Sequence, residues 1–122
     1  MQFANKQVEY LPIVNLTEQQ FLNVAIETTK LMGWVFGDIN TTGFIAYTNN
    51  GLFSWNAEVR LKIKDGSAIL QSGSRGDDVT DVRENKKNLQ RFITTFNGLK
   101  KLLAYEKPLL TYDKLKSTFS SN

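Results

Sequence analysis

The chain contains no cysteine and no histidine, and only two prolines, in 122 residues. Without cysteine there are no disulfides, no zinc–thiolate or iron–sulfur centres and no thiol nucleophile. Without histidine there is no Ser-His-Asp triad, no imidazole metal site, and no ordinary general base near neutral pH. These absences remove most common enzyme mechanisms, so the chain reads as a non-catalytic domain with no cofactor. Long apolar runs are also missing. The longest, residues 31–37, falls far short of the roughly 20 residues a membrane span needs. Residues 1–6 lack the basic start and apolar stretch of a secretory signal. The expectation is a cytoplasmic chain without a membrane span, and the lack of cysteine suits a reducing compartment.

What is present is a globular composition, 41% hydrophobic and 22% charged in 13.9 kDa. That is the size of one domain, spanning 1–122, and it can bury about two thirds of its unfolded surface. The net charge of +3 is unevenly placed. Residues 1–60 hold three Lys/Arg against five Asp/Glu, and residues 61–122 hold twelve against seven. This asymmetry is mild and lacks the dense basic patch of a strong nucleic-acid binder, so nucleic acid ranks below a protein partner or a homodimer.

Residues 7–14 have the character of a short strand, and Pro12, with no ladder N–H, places it at an edge or before a turn. Thr17 with Gln20 forms a capping box, and Leu16 with Phe21 a hydrophobic staple. Phe21, Leu22, Ala25, Ile26 and Met32 follow at helical spacing, and Gly33 is placed to end that helix in a left-handed conformation. Residues 34–39 and 44–48 predict two strands around the turn chemistry of Asn40-Thr41-Thr42-Gly43.

Residues 54–64 alternate strictly. Trp55, Ala57, Val59, Leu61 and Ile63 face one way, and Ser54, Asn56, Glu58, Arg60, Lys62 and Lys64 the other. Asp65-Gly66 then predicts a two-residue hairpin, with Ile63 opposite Ala68, Leu61 opposite Leu70 and Val59 opposite Ser72. Ser72 to Asp78 is expected to be a polar loop. A second helix starts near Asp81 and Glu84 and carries the apolar stripe Leu89, Phe92, Ile93, Phe96, Leu99 and Leu103. Pro108 stops it, and residues 108–122 form a C-terminal extension with a short helix over 111–115. The order β-α-β-β-β-β-α predicts an α+β, two-layer fold, with an antiparallel meander and both helices on one face.

Four stretches together, Leu31-x-Gly33-Trp34, Gly43-Phe44-Ile45-Ala46-Tyr47-Thr48, Ser54-Trp55-x-x-Glu58 and Asn85-Lys86-Lys87-Asn88, resemble a small bacterial α+β domain. In some relatives that domain precedes rhomboid-like membrane segments. The similarity spans residues 17–104. Where those relatives show Asp-Trp-Gly, this chain has Asp81-Val82-Arg83-Glu84. The family has no established activity or ligand, so the resemblance implies only a cytoplasmic accessory or sensing domain. This chain would be a stand-alone or truncated version of it.

The candidate interaction surface combines Trp34, Phe36, Phe44, Tyr47, Arg60, Lys62, Lys64 and Arg75. Strands 34–39 and 44–48 are apolar on both sides, so one side packs on helices and the other needs a cover. Residues 109–119, a second subunit or a ligand are the candidates. Arg60, Lys62 and Lys64 line the polar side of one strand, where they can meet phosphate or an acidic partner. Gly73-Ser74-Arg75-Gly76 has the spacing of a phosphate-binding loop. The acids Asp77, Asp78, Asp81 and Glu84 read as helix-capping residues before they read as a cation site. The functional expectation is an interaction or sensory domain. The alternative is a module binding a small ligand or lipid between sheet and helices, and nucleic-acid binding through the basic strand face ranks third.

Overall fold

The computed structural model describes residues 6–48, 57–74 and 82–106. The elements run β1 (Gln7–Pro12), α1 (Glu18–Leu31), β2 (Val35–Asn40), β3 (Gly43–Tyr47), β4 (Ala57–Lys64), β5 (Ser67–Ser74) and α2 (Val82–Glu106). The strands form one sheet in the order β1-β5-β4-β3-β2, with every neighbouring pair antiparallel. The fold is therefore two-layer α+β. The β2–β5 meander stands as expected, and β1 occupies the edge beside β5, where Pro12 is tolerated.

Local chemistry fixes the boundaries. The Thr17 hydroxyl accepts the Gln20 N–H at 3.0 Å, while the Gln20 side chain accepts the Thr17 N–H at 2.9 Å. This closes the capping box that satisfies two otherwise orphaned donors. Gly33, at φ +76, ends α1 by donating to the Lys30 carbonyl at 3.0 Å. The β4–β5 turn has both central residues at positive φ, Asp65 at 51 and Gly66 at 80. That conformation matches the right-handed twist of the flanking strands. It sets Ile63 opposite Ala68, Leu61 opposite Leu70 and Val59 opposite Ser72, the register the sequence predicts.

The loop expected from Ser72 is instead strand as far as Ser74. Two partners hold it there: Gln7 of β1 lies opposite Ser72, and Ala57 of β4 lies opposite Ser74. Gly73 is therefore a paired strand residue opposite Glu58, and the second half of the Gly-x-x-Gly stretch lies outside the described residues. Arg75, Trp55, Asp77, Asp78, Asp81 and the helix over 111–115 lie outside the described residues, as do residues 109–119 and their expected fold-back.

The core lies between the sheet and both helices. Phe21, Leu22, Val24 and Ala25 of α1 and Leu89, Phe92, Phe96 and Leu99 of α2 meet Phe44, Ala46, Val59, Leu61, Ile63, Ala68 and Leu70 of the sheet. Each such large side chain contributes about 1.5–3 kcal/mol on burial. Aromatic rings organise the centre. Phe21 lies 4.6 Å from Phe96, and Trp34 stacks on Phe92 at 6.1 Å.

Candidate functional site

Both helices cover the same face of the sheet, so among the described residues the other face is open. The residue register defines what that face carries. In β4 the buried residues Ala57, Val59, Leu61 and Ile63 point to the helices, leaving Glu58, Arg60, Lys62 and Lys64 on the open side. Pairing then builds rows across the strands: a short one joins Pro12, Ser67 and Lys64, and three longer ones follow. Tyr10, Ile69, Lys62 and Gly43 form one. Val8, Gln71, Arg60 and Ile45 form the second. Gly73, Glu58, Tyr47 and Val35 form the third, with Lys6 beside Gly73 at its β1 end.

This face mixes apolar and cationic groups. Tyr10 is 70% exposed and Val35 is 56% exposed, while Val8, Ile45, Tyr47 and Ile69 are half-buried. Tyr47 lies against Gly37, where an added Cβ would sit 3.1 Å from its ring. Gly37 belongs to the irregularity between Phe36 and Ile39, at which two β2 residues oppose Ile45. Among the described residues the face holds the cations Lys6, Arg60, Lys62 and Lys64 and the carboxylate Glu58, which pairs with Arg60, while the exposed Asp38 lies at the β2 irregularity opposite Ile45.

The predicted surface residues divide between the two faces. Tyr47, Arg60, Lys62 and Lys64 share the open face. Trp34 and Phe44 do not: both are buried in the core, and Phe36 packs edge-on to Phe44 at 5.4 Å. Their cover is the helix layer, with Phe92 over Trp34. The expectation of a two-sided apolar pair of strands thus holds in a specific form. Val35, Ile45 and Tyr47 are the members left for the other side.

Sequence reasoning missed Tyr10 and Ile69, because nothing in a separate N-terminal strand says which sheet edge it joins. It also missed a buried polar cluster at the opposite layer. The Ser72 hydroxyl donates to Asn85 Oδ1 at 2.9 Å, and Asn88 Nδ2 reaches the same hydroxyl at 3.5 Å. A signal existed: Asn85 and Asn88 are in helical phase with Leu89 and Phe92. These bonds tie β5 to the first turns of α2, which is an anchoring arrangement.

Described residues line cavities on the helix side. One of about 200 Å³ is lined by Leu11, Phe21, Ile93, Phe96, Asn97 and Lys100, and is smaller than the roughly 300 Å³ at which small-molecule pockets begin. Another is an open groove of about 380 Å³ between Leu31, Met32, Gln90, Arg91, Thr94 and Thr95. No group of three or more metal-ligating side chains occurs among the described residues. None of their helices is long and apolar enough to cross a membrane. Comparison of the chain with protein-family models, with curated proteins and with solved structures found no match.

Proposed function

We propose that this is a non-catalytic interaction or sensory domain that engages its partner through the open face of the sheet. One observation carries the reading. Both helices cover one face, and the face that no other described element covers sets Tyr10, Val35, Ile45, Tyr47 and Ile69 among Arg60, Lys62 and Lys64. Partly exposed apolar groups among mainly cationic side chains are a surface that a complementary partner can select. A cytoplasmic setting and an accessory role, as the family resemblance implies, belong to the same reading.

The test is site-specific photo-crosslinking in cells that express the protein. A benzophenone side chain is placed at Tyr10 or Val35 on the open face, and at Gln90 on α2 as the reference. A discrete adduct is expected from the sheet positions and none from Gln90. Equal capture at all three positions, or capture at Gln90 alone, would overturn the assignment of the face. An adduct at twice the monomer mass identifies a second copy as the partner.

A further inference from the structure

The chemistry of the open face is more specific than its exposure. Arg60, Lys62 and Lys64 follow one another on the same side of β4, near the middle of the sheet. Alternate residues on a strand stand about 6.8 Å apart, twice the rise per residue. That spacing is comparable to the separation of successive phosphates in an extended single strand of nucleic acid. Lys62 and Lys64 have no carboxylate partner among the described residues. Beside this cationic line lies an apolar floor of different character. Tyr10 lies opposite Ile69, and Ile69 opposite Lys62. Tyr10, 70% exposed, stands on this same face, one strand beyond Ile69 from the β4 cations.

We infer that the open face binds single-stranded nucleic acid, with phosphates along Arg60, Lys62 and Lys64 and a base stacked on Tyr10. The inference rests on the reading that this face is the interaction surface. Single-strand binders combine a cationic track with aromatic platforms, and every base has a face that can stack. An acidic polypeptide would also satisfy the cations, but the roughly 6.8 Å step between alternate β4 side chains matches successive phosphates, and a base adds stacking on Tyr10. The sequence ranks nucleic acid low because its basic residues are thinly spread. The pairing of β1 with β5 brings Tyr10 and Lys6 to the same side as the β4 cations.

The experiment is fluorescence anisotropy with labelled oligo-dT and oligo-U against the full chain, across a salt series. Three neutralised phosphates predict a log–log salt slope of about −2, a loss of about twenty-fold in affinity between 50 and 200 mM salt. The pair Lys62→Gln/Lys64→Gln should flatten the slope to about −0.7. Tyr10→Ala should weaken binding roughly five-fold or more at every salt concentration while leaving the slope unchanged. Lys86→Gln/Lys87→Gln, on exposed positions of α2, should change affinity far less than the β4 pair.

The inference is overturned by no binding at low salt, or by an α2 pair as costly as the β4 pair. It is also overturned if polyglutamate binds as tightly as the oligonucleotides and Tyr10→Ala changes neither. If photo-crosslinking at Tyr10 captures a protein while the oligonucleotides do not bind, the interaction face stands and the nucleic-acid ligand falls.

Discussion

The backbone N–H of Gly66 donates to the Glu18 carboxylate at 2.9 Å, tying the tip of the β4–β5 hairpin to the first turn of α1. The two layers are thus pinned at a point remote from the core, between residues 48 apart in sequence. Glu18 also sits where the positive end of the helix dipole favours an acid. Gly66, at φ +80, occupies a conformation that a β-branched residue enters only with strain. Gly66→Val is expected to cost about 1–2 kcal/mol. Gly66→Asn should cost less, because asparagine tolerates left-handed backbone. Urea denaturation of both variants measures the difference. Equal losses would mean that the turn is not held in this conformation.

Ser72, Asn85 and Asn88 are buried and depend on one another. Ser72→Ala should cost about 1–2 kcal/mol and Asn85→Ala about 2–3 kcal/mol, since each leaves a buried polar partner short of a bond. Their energies should not add. A double-mutant cycle is expected to show coupling of about 0.5 kcal/mol or more. Strict additivity would remove the cluster as an anchor for α2.

Most of the fold was legible because local signals agreed with one another. Thr17 with Gln20, Gly33, and Asp65 with Gly66 each encode a boundary through their own backbone chemistry, and the β4 alternation encodes a face. The extent of β5 was not legible. Ser72 and Gly73 have turn composition, and only the partners on β1 and β4 hold them as strand. The candidate surface was half legible for a related reason. Period-two alternation separates Phe36 from Val35, and Phe44 from Ile45, but cannot say which set meets the helices. Helix packing settles that by burying Trp34 and Phe44 beside Phe92 and its neighbours. Tyr10 enters the surface only through the long-range pairing of β1 with β5.

The α1 cap offers a clean local test. Thr17→Ala removes the hydroxyl that accepts the Gln20 N–H and should lower stability by about 1 kcal/mol. Thr17→Ser keeps that acceptor and should be nearly neutral. Thermal unfolding followed by circular dichroism distinguishes them. If the serine variant loses as much as the alanine variant, the threonine methyl, and not the cap, carries the effect.

Gly43 opens β3 and Gly98 lies inside α2, and the structure gives the two glycines opposite roles. A Cβ on Gly43 would stand 2.0 Å from the Leu61 carbonyl oxygen and 2.9 Å from its carbon. That carbonyl is main chain in an inner strand, and the adjacent bond from the Ile63 N–H to the Thr42 carbonyl at 2.7 Å holds the approach. The clash cannot be relieved by turning a side chain, so β3 must move away from β4. Gly43→Ala is therefore expected to cost about 3 kcal/mol, at the upper end for overpacking. Gly98 is exposed in α2, with nothing within 4 Å of an added Cβ. There the methyl meets no obstacle and the unfolded chain loses freedom, so Gly98→Ala should stabilise by about 0.8–1 kcal/mol. For a chain of this size the second change should raise the melting temperature by about 4 °C, and the first should lower it by well over twice that. A Gly43→Ala protein that melts with the parent would show that β3 and β4 do not approach this closely. A Gly98→Ala protein that melts lower would show that this part of α2 is covered.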